Sequence, residues 1–199
     1  MLCKKALLGG AVAALLLSAI ASTASANRLS LSTREWQATW SAMSFTGAFG
    51  STTCTLTLEG EMHTKTFGKT RSALVGYIAG ATTSGCGAFP ATVLRENLPW
   101  HIQYETFAGT LPRITSVALK IIGFQFKIRE SFGVECLFTS TEARPLTDTL
   151  NREASGAVRS TTLSGTLTSE GCAGLEARFG GSTASFTVPP PPAITLGLI

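Results

Sequence analysis

The stretch TCTLTLEGEMH (Thr53–His63) alternates polar and apolar residues, and a period of two is typical of a strand with one buried face. Successive side chains of a strand point to opposite sides of the sheet. The apolar positions are predicted to face inward: Cys54, Leu56, Leu58 and Met62. The polar positions, which include Glu59, Glu61 and His63, are predicted to face outward.

The same alternation recurs along the chain, whereas helical patterns are scarce. Further inward-facing residues are predicted at Trp100, Ile102, Tyr104, Val117, Leu119, Ile121, Phe124, Phe126, Ile128, Val134, Cys136, Phe138, Leu163 and Leu167. The segment 141–157 is interpreted as a polar surface excursion with a helical turn. The sequence therefore predicts an all-β fold, an antiparallel β-sandwich or a closed β-barrel of about nine or ten short strands.

Residues 1–26 have the three parts of a secretory signal. Lys4 and Lys5 precede an apolar run from Ala6 to Ala21, and Ala24-Ser25-Ala26 provides a small-residue cleavage motif. We predict cleavage before Asn27, with the mature protein secreted or on the exterior of the cell envelope. The alternative, a membrane anchor, is disfavoured because the run contains a glycine pair and is barely long enough to span a bilayer.

Cleavage would leave 173 of the 199 residues, a length that suits one domain. We predict a single all-β domain at 27–188 and a Pro-rich C-terminal tail at 189–199. Four consecutive prolines cannot donate hydrogen bonds to a sheet, which favours a disordered end. The formal net charge falls from +4 to +2 when Lys4 and Lys5 are removed, an excess too small to indicate a nucleic-acid partner.

Four cysteines remain in the predicted mature chain: Cys54, Cys86, Cys136 and Cys172. An even number of cysteines in an exported chain predicts two disulfides. Local context favours like-with-like pairing, that is, Cys54 with Cys136 and Cys86 with Cys172. Cys54 and Cys136 lie in alternating runs, whereas Cys86 and Cys172 lie in glycine-flanked loops. The cysteine spacing is not that of a zinc knuckle.

Both histidines lie in similar patterns, and His101 is followed at alternate positions by Gln103 and Glu105. If the two strands pair side by side, one register places His63 beside His101, where Glu61 or Glu105 could complete a site for zinc or another transition metal. The corresponding function is a metal-dependent hydrolase that uses both histidines and Glu59, Glu61 or Glu105. The interpretation we favour is that these residues are the solvated sides of two amphipathic strands.

Two further patterns suggest binding. The loop TKTFGKTR groups Lys65, Lys69 and Arg71 around Phe67, so a basic loop with an exposed aromatic side chain would contact an envelope polymer, a lipid surface or a protein. Its alternative is a hairpin tip kept soluble by its charges. The aromatic residues Trp100, Tyr104, Phe124 and Phe126 would surround a small apolar ligand if the barrel carries one, although strand spacing favours core packing.

Catalytic motifs are absent from the sequence, which has neither a G-x-S-x-G elbow nor a phosphate-binding loop. Its single aspartate, Asp148, lies in the polar excursion. We therefore predict no catalytic residues and no cofactor. The sequence is interpreted as an exported, disulfide-stabilised β module with a binding or structural role.

Overall fold

The computed structural model describes residues 28–47, 50–87, 90–129, 134–170, 172, 176–182, 185–187 and 194–199. These residues form the predicted all-β structure and contain no helix. Accordingly, none of them belongs to a helix that is long and apolar enough to cross a membrane. The predicted signal segment 1–26 and the four prolines of the predicted tail lie outside the described residues, so those expectations remain predictions.

Fifteen strands occur in the described residues, more than the nine or ten predicted, because five of them span only three or four residues and show too little alternation. They are β1 (Arg28–Leu31), β2 (Glu35–Gly47), β3 (Gly50–Met62), β4 (Thr66–Gly68), β5 (Leu74–Ser84), β6 (Ala91–Val93), β7 (Trp100–Thr110), β8 (Arg113–Ile122), β9 (Gln125–Arg129), β10 (Glu135–Thr139), β11 (Leu146–Arg152), β12 (Val158–Glu170), β13 (Glu176–Ser182), β14 (Ser185–Thr187) and β15 (Leu196–Leu198).

Eight long strands close into a ring. They pair in the order β11-β8-β7-β5-β3-β2-β13-β12, and β12 pairs in turn with β11. Every one of these pairings is antiparallel. Of the two architectures left open by the sequence, the fold is the closed barrel.

The barrel interior is filled by the residues that alternation assigned to it. All the predicted inward residues of β3, β7 and β8 are buried, with at most 5% of their surface exposed. Val134 is the exception at 51% exposed, because it precedes β10 rather than lying within it. Alternation therefore identified most of the core without revealing the order of the strands.

One end of the barrel is cross-linked by two disulfides, Cys54–Cys86 and Cys136–Cys172. The number of disulfides is as predicted, but the like-with-like pairing was wrong. Pairing follows strand neighbours instead: β3 and β5 place Thr55 opposite Ser84, and β10 and β12 place Leu137 opposite Glu170. Each cysteine pair lies just beyond these positions, so the ladders bring its two members together.

An aromatic cluster fills the same end of the barrel, which we call the disulfide end. Beyond Gly123 the chain passes from β8 into β9, and β9, β10 and β6 extend the sheet there. Ring centroids in the cluster are 4.5 to 5.7 Å apart. The cluster consists of Phe45, Phe124, Phe126, Phe138 and Phe179.

The opposite end is covered by a small sheet of β15, β1 and β4, which we call the cap. Val158 N donates to Ile194 O at 2.8 Å and Leu196 N donates to Gly156 O at 2.8 Å, so the last strand is attached where β12 begins. Leu29, Ile194 and Leu196 are buried in the common core. Residues 194–199 are therefore part of the fold, and a disordered end is wrong for them because their apolar side chains cover the barrel.

The polar excursion predicted for 141–157 contains a barrel strand instead. β11 lies between β8 and β12 and buries Leu146, Asp148 and Leu150. The prediction failed because a charged residue, Asp148, occupies an inward position and interrupts the apolar alternation.

Candidate functional site

The polar residues of β3 and β7 lie on the outer face of the barrel, but β5 separates the two strands. Tyr77 of β5 is the cross-strand partner of both Glu61 and His101. The ring of His63 lies 5.8 Å from that of Tyr77, measured between centroids. The strands of the two histidines therefore do not pair directly, which was the condition for the predicted metal site.

Glu61 already has two hydrogen-bond donors. The Tyr77 hydroxyl donates to Glu61 Oε2 at 2.6 Å, and Arg34 Nη2 donates to Oε1. The hydrogen bond to Glu61, with burial as a smaller cause, raises the pKa of Tyr77. Tyr77 therefore keeps its proton and remains a donor to the carboxylate.

Glu105 is likewise held by two cations, Arg71 and Lys120. Hydrogen bonds from Arg71 and then from Lys120 hold the pKa of Glu105 below its usual range. Its side chain is only 15% exposed, so both oxygens are largely committed to these partners. Glu105 is thus an ionised anchor for the neighbouring basic side chains.

The predicted metal ligands His63, His101, Glu61 and Glu105 do not form one cluster. In the described part of the chain, no group of three or more His, Cys, Asp or Glu side chains is placed to hold a metal ion. A metal at either carboxylate would have to displace Arg34 or Arg71. These residues therefore give the hydrolase hypothesis no assembled ligand set.

The basic loop has a different arrangement from the one predicted. Phe67 is 7% exposed and belongs to the core, so it is not the exposed aromatic residue of a binding surface. Lys69 Nζ lies 5.3 Å from the ring centroid of Phe107, and Arg71 pairs with Glu105. Lys65 remains exposed. The loop presents charge without the predicted aromatic contact.

The aromatic residues considered for an apolar ligand are packed against protein. Trp100, Tyr104, Phe124 and Phe126 are each at most 2% exposed, and the Trp100 and Phe124 ring centroids are 4.9 Å apart. A separate apolar cavity beneath the cap has a volume of about 20 Å³, which is room for about one water. Pockets for drug-sized ligands are roughly 300 Å³ or more, so neither region provides one.

A groove of about 330 Å³ lies on the outer face of β2, β3 and β5. Tyr77 contributes an aromatic surface to it, and Gln37 Nε2 donates to Glu59 Oε1 at 2.8 Å along its wall. We call it the β2–β3–β5 groove. Its lining consists of Glu35, Trp36, Gln37, Glu59, Gly60, Glu61, Tyr77 and Ala79.

Gly60, which lines this groove, allows Trp36 to pack closely against β3. The pairing of β3 with β5 shifts register between Glu59 and Gly60. A Cβ atom on Gly60 would lie 2.7 Å from Trp36 Cε2 and 2.7 Å from Tyr77 O, so only glycine fits. The indole of Trp36 takes the place of the missing side chain on the buried side of β3, and only 8% of Trp36 is exposed.

The charges of the groove are predominantly negative. Glu35 lies directly opposite Glu61 across β2 and β3, and like charges in that position destabilise a sheet. Three glutamates line the groove, and Arg34 pairs with one of them. Sequence reasoning identified Glu59 and Glu61 but missed Tyr77; a glycine within an alternating strand was the available signal of a close approach.

The chain was compared with protein-family models, with curated proteins and with solved structures, and none of them matches it. Conclusions about function therefore depend on the geometry of the described residues. Two features bear on it directly: an interior filled by side chains, and an acidic outer groove beside Tyr77.

Proposed function

We propose that this protein is an exported, disulfide-stabilised β module that binds another protein through the β2–β3–β5 groove and performs no catalytic step. The observation that carries the proposal is the acidic concave surface formed by Glu35, Glu59 and Glu61 beside Tyr77. The two disulfides support export, since such bonds persist in oxidising compartments.

The groove favours a positively charged group from its partner. A lysine or arginine side chain would add to Arg34 in offsetting the repulsion between Glu35 and Glu61, and would rest its alkyl stem on the ring of Tyr77. Anionic lipid and acidic polymers would be repelled by the same carboxylates. A basic segment of a partner protein is therefore the proposed ligand class.

The proposal is tested by an NMR titration of the mature protein with a penta-lysine peptide. We expect chemical-shift changes centred on Gln37, Tyr77 and Ala79, reduced by salt because the attraction is electrostatic. The variant Glu59→Gln/Glu61→Gln should lose these changes. Glu142→Gln, an exposed carboxylate away from the groove, is the matched control and should keep them.

Other outcomes would contradict the proposal. Shift changes spread evenly over the surface, or unchanged in Glu59→Gln/Glu61→Gln, would show that the groove is not the contact. Equal changes with penta-glutamate would exclude recognition of positive charge. Export has its own test: the N-terminal sequence of secreted protein is expected to begin at Asn27.

A further inference from the structure

Asp148 places a carboxyl group inside the apolar barrel. Its cross-strand partners are Leu119 on β8 and Leu163 on β12, and only 4% of its surface is exposed. A hydrogen bond from Thr161 reaches the carboxyl group, whereas Oδ1 has no hydrogen-bond partner within the described residues. A buried carboxyl oxygen without a partner is costly, and the cost is far larger when the group is ionised.

The cavity beneath the cap adjoins this carboxyl. Asp148 and Leu150 form part of its wall, and Leu31 and Ile194, which come from the cap region, form another part. Its volume of about 20 Å³ is room for about one water. Movement of the cap would therefore open the cavity, and with it Asp148, to solvent.

Charged groups do not face Asp148 from the strands packed around it in the described structure. The remaining cavity lining is uncharged, and its polar groups are the hydroxyl of Thr33 and the indole N–H of Trp36. Arg34 and Arg152 lie near the cap, but they donate to the main-chain oxygens of Met62 and Leu196. The inward phenol of Tyr104 lies across Leu119, and burial raises its pKa above the usual range, so it is neutral near pH 7.

We propose that Asp148 is a proton-controlled switch for the cap: while its carboxyl is protonated the cap stays closed, and ionisation draws water into the cavity and releases the cap. This device is independent of the β2–β3–β5 groove. It would make exposure of the apolar cap strands depend on the pH of the compartment.

The direction of the switch follows from the environment of Asp148. Burial raises its pKa to about 7, and the hydrogen bond from Thr161 opposes that rise. An aspartate open to solvent has a pKa of about 3.9, so the closed state binds the proton more tightly than the open state. Opening therefore becomes easier as the pH rises from about 4 to about 7, and its pH dependence levels off above that range.

The cap is held by short strands. Its strands β1, β4 and β15 have four, three and three residues, so few ladder hydrogen bonds are lost. The ring strands beside Asp148 pair over longer stretches on both sides. Releasing the cap therefore hydrates the carboxylate at a smaller cost than separating the barrel wall.

Hydrogen exchange on the mature protein between pH 5 and pH 8 tests the switch, after correction for intrinsic exchange rates. The probes are the amides of Leu31 and Leu196, which donate to Lys65 O and Gly156 O in the closed cap. Their protection factors are expected to fall by roughly 10- to 100-fold over this range. Leu94 and Ser140, whose amides are bonded at the disulfide end, should change little.

Three variants make the test specific. Asp148→Asn should abolish the pH dependence of cap protection. Thr161→Val should move its midpoint to higher pH by removing a hydrogen bond that favours the ionised carboxyl, and this result stands even if Asp148→Asn fails to fold. His63→Gln/His101→Gln, which removes both histidines of the chain, is the control and should leave the dependence intact. Protection that is independent of pH, or equally dependent in Asp148→Asn, would overturn the proposal.

Discussion

The two ends of the barrel are closed by different means. At the disulfide end, two covalent bonds and a cluster of five phenylalanines hold β3, β5, β10 and β12 together. At the other end, three short strands are held by main-chain hydrogen bonds above a cavity that contains a carboxyl group. The comparison indicates that the disulfide end contributes most to stability, whereas the cap end is where we expect the structure to respond to pH.

The largest expected effect is at the disulfide end. The bridges close loops of 32 and 36 residues, and removing either is expected to lower the free energy of unfolding by about 4 kcal/mol. Cys54→Ala/Cys86→Ala and Cys136→Ala/Cys172→Ala should show this in urea titrations under oxidising conditions. Hydrogen exchange in the cap of any variant that folds should keep its pH dependence. An unchanged unfolding midpoint would show that the bridges do not carry the stability of this end.

The next effect is at the cap end and depends on pH. Because the folded-state pKa of Asp148 is raised to about 7, its contribution to stability is fully present below about pH 4 and lost as the pH rises through 7. Asp148→Asn is therefore expected to gain up to about 4 kcal/mol over the wild type at pH 8 and almost nothing at pH 4. Urea titrations at the two pH values measure the difference. A gain that is the same at both would contradict a buried ionisable carboxyl.

A smaller effect is expected for the packing beside the cap. Gly60→Ala would force a Cβ against Trp36, whose side chain is buried beside the cavity, and overpacking of this kind costs about 1 to 3 kcal/mol. Gly180→Ala is the matched control, because a Cβ there meets nothing within 4 Å. Thermal melts of the two variants compare them directly. Equal melting temperatures would mean that the barrel wall at Gly60 accommodates the added Cβ at little cost.

The smallest effects compare one arginine at each end. Arg152 is half-buried and donates to Leu196 O at 2.7 Å and to Ile114 O at 3.3 Å, so Arg152→Ala should cost about 1 to 2 kcal/mol. Arg129 is 64% exposed and pairs with Glu135, so Arg129→Ala should cost less than about 1 kcal/mol. Chemical denaturation of the two variants measures which substitution lowers the free energy of unfolding more. The reverse order would show that the cap is not anchored through its carbonyl groups.

Much of the barrel wall could be predicted from the sequence because its apolar residues alternate. Leu56, Leu58 and Ile102 face inward as expected. The disulfide partners could not be predicted, since they depend on which strands are neighbours, and strand order is set by contacts far apart in the sequence. The three-residue strands could not be predicted either, because alternation is recognised only over a longer stretch.

The groove itself was not predicted from the sequence, for a related reason. Alternation predicts that Glu59, Glu61 and His63 face outward. It does not predict that Tyr77 of β5 lies between β3 and β7, because that depends on the strand order. The burial of Asp148 could not be predicted from its polarity. A charged residue is assigned to the surface by default, and only its neighbours in the folded sheet reveal that it is buried.

The position of β1 between β4 and β15 has a consequence for the order of assembly. Leu31 pairs with Leu196, a residue synthesised 165 positions later, whereas every ladder of the eight-stranded ring lies between β2 and β13. A chain that emerges from its N-terminal side can thus complete the ring before β15 has emerged. Until then β1 has only β4 beside it, and the apolar side chains over the cavity are not yet covered by β15.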